Sequence, residues 1–160
     1  MASNEAGNTA RIFQISLSAG GVPKLAVPQA QVGALGLLGD EHRDLKHHGG
    51  PERAVCLYSL ERILALQAEG HPIFPGAAGE NLTLSGLPWE LVVPGARLQV
   101  GDTLLLEVTK YTEPCNNIRG AFTDGQFMRI AHDVHPGWSR VYARVLQEGA
   151  ILPGDPVRLV

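Results

Sequence analysis

Glycine and proline interrupt this chain at short intervals, 19 and 11 of them in 160 residues, and they fall between short apolar runs. No other feature limits the fold as much. Runs of four to eight apolar residues have strand length, and the Gly and Pro clusters between them have turn chemistry. Arg11–Leu17 alternates around Ile12, Phe13, Ile15 and Leu17 and is expected to be a first strand. The turn Ser18-Ala19-Gly20-Gly21 then returns the run 22–27 as a hairpin partner. The run 32–38 is broken by Gly33 and Gly36. Strands are expected over 53–58, 81–84, Arg97–Val100, 103–109, 139–146 and 157–160, with turns at Gly101-Asp102 and at Pro153-Gly154-Asp155-Pro156. In the run 103–109, Leu104, Leu106 and Val108 should share one face.

One good helix is expected, over 60–69. Ser59 caps it, Glu61 complements its positive end, Gly70 stops it, and Leu60, Ile63, Leu64 and Ala68 fall on one face. A second, weakly helical region is expected near 124–131. Seven to nine short strands with one or two helices predict a mainly β fold. The expected form is a closed or nearly closed, mostly antiparallel barrel, which leaves no bare edges. Residues 1–10 are small and polar and are expected to be a flexible tail, leaving 11–160 as one domain.

Composition excludes several functions. The net charge is −3 and there is no basic block, which argues against nucleic acid. Apolar stretches such as 103–108 are far shorter than the ~20 residues of a membrane span. The first ten residues lack the cationic-then-apolar order of a signal peptide. Two cysteines, Cys56 and Cys115, make no disulfide framework and fit a reducing cytoplasm. Cys56 lies inside an apolar run and is expected to be a buried core residue.

Three segments could carry chemistry. Between residues 43 and 53, Arg43, Lys46, His47, His48 and Arg53 gather cationic groups in a chain that is net negative. Gly49 and Gly50 would let backbone N–H groups approach a ligand. Such a loop suits phosphate or another anion, through charge-assisted hydrogen bonds from Lys46 and Arg53. His42, His47 and His48 argue weakly for zinc, since no paired-Cys or HExxH spacing accompanies them. A solvated polar loop with two turn glycines is the plainer alternative.

The second segment is Glu113-Pro114-Cys115-Asn116-Asn117-Ile118-Arg119-Gly120. It follows a strong strand, so Cys115 should stand at a strand end, with Asn116 and Asn117 able to hydrogen-bond a bound group. A helix start favours the thiolate, whereas Glu113 opposes it. Inert buried cysteines are common, so residue chemistry alone leaves the role of Cys115 open. The third segment is Gly79-Glu80-Asn81-Leu82-Thr83, where small and polar residues enter a strand and Asn81 could serve a ligand or a local turn.

Taken in order, these segments resemble the MOSC domain, named for the C-terminal part of molybdenum cofactor sulfurases. The carriers are Gly39-Asp40, then Lys46-His47-His48-Gly49-Gly50-Pro51-Glu52-Arg53-Ala54-Val55, then Gly79-Glu80-Asn81-Leu82-Thr83. Val100-Gly101-Asp102, Pro114-Cys115 and Gly154-Asp155-Pro156-Val157 complete the pattern. The resemblance spans nearly the whole chain and implies a β-barrel that binds molybdenum cofactor (molybdopterin). It implies Cys115 as the molybdenum ligand and catalytic residue. Lys46, His47, His48, Gly49, Gly50 and Arg53 would hold the pterin phosphate, and Asn81 and Asn117 the pterin edge. The implied reaction reduces N-hydroxylated small molecules, as in the hydroxylaminopurine-resistance and amidoxime-reducing proteins, with electrons from a partner reductase. The alternatives are a persulfide carried on Cys115 after transfer from a PLP-dependent cysteine desulfurase, and a non-catalytic cofactor carrier. No PLP lysine motif is identifiable, so PLP would belong to the partner alone. The chain is expected to lack the N-terminal β-rich domain of the longer amidoxime reductases and the C-terminal helical extension of some hydroxylaminopurine-resistance proteins.

Overall fold

The computed structural model describes residues 10–18, 21–40 and 50–160. Two sheets organise them. The larger has eight strands: β1 (Arg11–Leu17), β2 (Leu25–Val27), β5 (Val55–Ser59), β6 (Leu82–Ser85), β7 (Arg97–Val100), β8 (Leu104–Tyr111), β9 (Val141–Gln147) and β11 (Val157–Leu159). Their spatial order is β11-β7-β8-β9-β5-β6-β1-β2. A small sheet is built from β3 (Ala30–Gly33), β4 (Gly36–Leu37) and β10 (Gly149–Ile151), with β3 in the middle. The fold is mainly β and its pairing is mixed: β5 and β6 run parallel, and every other pair is antiparallel.

The parallel pair follows from what joins its strands. Parallel neighbours need a crossover, and α1 (Leu60–Ala68) provides it. The Ser59 hydroxyl accepts from the Arg62 N–H at 3.1 Å and caps the helix, as its sequence predicts. Gly70, at φ 101°, ends it. The buried stripe differs from the expected one. Ile63 and Leu66 are fully buried, whereas Leu64 is half exposed and Ala68 is exposed, because the crossover presents the Ile63 side to the sheet.

In β8, Leu104, Leu106 and Val108 are buried while their neighbours are only half covered, the expected alternation. In β5 all five residues are buried, as in a strand with both faces covered. Burying side chains like Leu57 and Leu106 stabilises the fold by about 1.5–3 kcal/mol each, so these central strands dominate the core.

The ladder order is open, so a closed barrel is not what the pairing forms. The two flanks do touch. Arg11 bridges Pro156, the Ile12 N–H donates to the Asp155 carbonyl at 2.9 Å, and the Val157 N–H donates to the Ala10 carbonyl at 3.0 Å. The weak helix expected near 124–131 is a series of 3-10 turns, Thr123–Gly125 and Phe127–Ile130, interrupted by Asp124 at φ 54°. Among the described residues, no helix is long and apolar enough to cross a membrane.

Candidate functional site

The chain leaves β8 at Tyr111 and is clamped before it reaches Cys115. The Thr112 N–H donates to the Arg140 carbonyl at 3.0 Å, and the Ser139 hydroxyl donates to the Thr112 carbonyl at 3.2 Å. Arg140, itself buried, extends its guanidinium to the carbonyls of Ala78 at 2.7 Å and Glu113 at 3.4 Å. Behind this clamp, the Trp89 indole N–H donates to the Ser139 carbonyl and the Tyr58 hydroxyl to the Trp138 carbonyl. Cys115 follows in extended conformation and heads a 3-10 segment, Asn116–Ala121, whose Ile118 and Ala121 are buried anchors. The thiol is left half-buried, and Asn116 and Asn117 are exposed beside it.

The basic segment comes into view at Gly50. Lys46, His47, His48 and Gly49, with His42 and Arg43, lie outside the described residues. Gly50, at φ 83°, begins the 3-10 turn Pro51–Arg53. That turn is pinned to the sheet: the Glu52 carbonyl accepts from the Thr109 hydroxyl, and the Glu52 carboxylate pairs with Arg144 at 3.2 Å. Arg53 is half-buried. Tyr142 of β9 is buried. The Tyr142 phenol is pushed well above its ordinary range, mainly by burial. Cys56 and Cys115 add to that shift, and Arg140 and Arg53 oppose it. A phenol in this setting keeps its proton and can donate a hydrogen bond.

Cys56 sits in β5 opposite Tyr142. It is buried, as expected, with its sulfur 3.8 Å from the Thr112 hydroxyl, and burial pushes its thiol up. Asn81 lies just outside β6 and is 1% exposed. Its side chain accepts from the Cys56 N–H at 3.0 Å and donates to Asp40 at 2.8 Å and to the Ser16 carbonyl at 3.3 Å. Next to it Glu80 is fully buried. Thr83 donates to one of its carboxyl oxygens, the other is unpartnered, and burial pushes the carboxyl up.

The structure therefore leaves Cys115 half-buried past the end of β8 and Arg53 half-buried in the turn after Gly50. It leaves Asn117 at the surface beside Cys115 and turns Asn81 into the interior. Residue-level reasoning missed Tyr142 and Arg140, which sit in the last long apolar run and resemble core and surface positions there. It also missed Lys24, whose only signal is a lysine directly before the strand residue Leu25. Among the described residues, no group of three or more His, Cys, Asp or Glu side chains could hold a metal ion. Cys115 can offer a metal one soft sulfur, which suits a centre whose other ligands come from an organic cofactor. A separate cleft of about 730 Å3, lined among others by Gln31, Asp102, Thr103 and Leu152, contains none of the predicted residues. It lies at the start of β8, the end opposite Cys115.

The MOSC domain model matches residues 44–158, which takes in Arg53, Asn81, Cys115 and Asn117. The chain belongs to the MOSC domain family. It is 33% identical over 123 residues to protein YflK of Bacillus subtilis strain 168, covering 76% of this chain and 54% of YflK. It is 36% identical over 132 residues to a protein of Gibberella moniliformis named reductase, covering 79% of this chain and 23% of that one. The crystal structure of YiiM from Geobacillus stearothermophilus superposes with a TM-score of 0.73 at 29% identity, over 94% of this chain and 75% of that one. This MOSC chain thus spans about half the length of YflK and about a quarter of the reductase. Asp40 and Lys24 precede the matched MOSC residues, although their hydrogen bonds reach into them at Asn81.

Proposed function

We propose that this MOSC protein binds molybdenum cofactor through Cys115 and reduces N-hydroxylated small molecules. The observation that carries the reading is the placement of the Cys115 thiol. It is half-buried at a strand exit whose preceding residues are clamped by Ser139 and Arg140. A relative named reductase supports redox chemistry on a small substrate. The residues suit the group, since Cys115 offers one soft sulfur and the run from Arg43 to Arg53 is rich in cationic side chains that suit a phosphate. When bound, the cofactor supplies a two-electron redox centre, which a separate reductase recharges.

The chain supplies everything else. Cys115 holds the metal, and Arg53, with Lys46, His47, His48 and the N–H groups of Gly49 and Gly50, holds the pterin phosphate. Asn117 meets the pterin edge. Burial keeps the proton on Tyr142. The buried clamp from Arg140 and Ser139 keeps the Cys115 backbone from moving. The same reading takes residues 11–160 as one cytoplasmic domain whose sheet, joined near Arg11 and Pro156, curls into a near-closed barrel.

Metal analysis and intact-mass measurement of protein made in a cofactor-competent host test the reading. The expected result is bound molybdenum that disappears in Cys115→Ser. A sulfur-atom mass gain on Cys115 without molybdenum overturns it in favour of persulfide carriage from a PLP-dependent cysteine desulfurase. Molybdenum retained without reduction of any N-hydroxylated compound makes the protein a cofactor carrier.

A further inference from the structure

Past Cys115 the chain makes three 3-10 turns in succession, Asn116–Ala121, Thr123–Gly125 and Phe127–Ile130. Turns this short have little hold on their own shape. The run is fixed from outside. Ile118, Ala121, Phe122 and Ile130 are buried, and four hydrogen bonds tie the run to three consecutive residues past α1: Glu69, Gly70 and His71. The Thr123 hydroxyl donates to the Gly70 carbonyl at 2.8 Å, and the Thr123 N–H donates to His71 Nδ1 at 3.1 Å. Arg129 grips the Glu69 carboxylate through Nε at 2.8 Å and Nη2 at 2.7 Å.

The bond to His71 depends on the ionisation of its ring. His71 is buried, edge-on to Phe122 at 5.2 Å. Because Nδ1 accepts a hydrogen bond it carries no proton, so the neutral ring holds its proton on Nε2, 3.7 Å from Glu69 Oε1. A second proton has only Nδ1 to go to. There it would set donor against donor, and a buried N–H left without an acceptor carries a desolvation cost. The charged groups at this corner are Glu69, Arg129 and, acting on the same carboxylate, His135. Glu69 attracts an imidazolium, but Arg129 already bonds both of its oxygens and repels one.

We propose that His71 is a positioning residue for Cys115: when neutral it latches the run that starts at Cys115, and when it takes a second proton it releases Thr123. Arg140 and Ser139 hold the chain before the thiol, and the corner at His71 holds it after, so acidification loosens one of two ends. The inference rests on the reading of Cys115 as the working thiol.

Two variants separate the acceptor from the charge. His71→Asn keeps an acceptor oxygen near the place of Nδ1 and cannot be protonated there. His71→Phe keeps a ring against Phe122 and has no acceptor. The full chain, made in a host that lacks the cofactor, is studied between about pH 8 and about pH 5, where histidine takes its proton. Deuterium exchange at the Thr123 N–H, corrected for its intrinsic rate, reads the latch. Protection in the unmodified protein should fall by about tenfold or more towards acid. It should hold throughout in His71→Asn and be low throughout in His71→Phe. Reaction of Cys115 with dithiodipyridine reads the positioning. At about pH 5 the unmodified protein should react about tenfold faster than His71→Asn, and at about pH 8 the two should agree. Equal acid loss of Thr123 protection in His71→Asn and the unmodified protein overturns the latch, and that comparison stands even if His71→Phe does not fold. Release of Thr123 with no change in the Cys115 rate overturns the positioning role. A Cys115 that reacts in none of the three proteins is a different result: it overturns the reading of Cys115 as the working thiol, and the positioning role with it.

Discussion

The two cysteines occupy opposite kinds of place within one neighbourhood. Cys56 is built into a strand with both faces covered, its backbone bonded to Asn81 on both sides and its thiol pushed up by burial. Cys115 stands beyond a strand end, half-buried, just after the clamped residues Thr112 and Glu113. Both act on Tyr142, so distance to shared neighbours does not separate them. What separates them is the backbone: a residue inside a ladder gives its surroundings to packing, and a residue just past the ladder can give them to a ligand. The strand register thus separates the two thiols before any electrostatics is considered.

The contrast is open to attack by mutation. Cys115→Ser replaces a soft thiolate by a hard hydroxyl and should abolish reduction, a loss on the order of a thousandfold or about 4 kcal/mol in the barrier. Thermal melting should move by less than about 1 kcal/mol in stability, because little packing is lost. A melt that collapses would make Cys115 structural like Cys56. On the same side, Lys46→Ala with Arg53→Ala should weaken cofactor binding by roughly two to four powers of ten. That follows from two charge-assisted hydrogen bonds at about 1.5–3 kcal/mol each. Full cofactor content in the purified double variant would refute the anion role of the segment.

On the Cys56 side the effects should be on stability. Asn81→Ala leaves the Cys56 N–H and part of the Asp40 carboxylate unpaired and should cost about 2–3 kcal/mol by denaturant titration. Alkylation with iodoacetamide under native conditions should label Cys115 alone, with Cys56 labelled only on unfolding. The smallest effect is on pH dependence. The fold keeps the Cys56 proton on, so the native state binds it above the ordinary thiol value of about 8.5, where the unfolded chain releases it. Stability present below that pH is therefore lost as pH rises through it. Tyr58 and Tyr142, pushed the same way, extend the loss above about pH 10. Denaturation midpoints should be lower at about pH 10 than at about pH 8. Cys56→Ala should flatten the first part of that decline, and Cys115→Ser should not.

Much of this was legible in the order of residues. Alternation located β1 and gave β8 its right buried face, although in β1 Phe13 is exposed and Ser16 buried, and the Ser59 and Gly70 signals bounded α1 within a residue or two. Pro114-Cys115 after a strong strand marked the reachable thiol, and an apolar run marked the buried one. These are local properties: side-chain period, capping chemistry and turn preference act over a few residues, so a few residues reveal them. Tertiary structure alone decided the rest. That β5 and β6 run parallel, that α1 buries Leu66 in place of Leu64, and that Asn81 faces Asp40 depend on which strands become neighbours. Periodicity tells a side chain which face it is on, and never what lies opposite. Partners such as Lys24, Asp40 and Asn81 are chosen only when the whole sheet closes over them and burial makes each unpaired polar group too costly to leave.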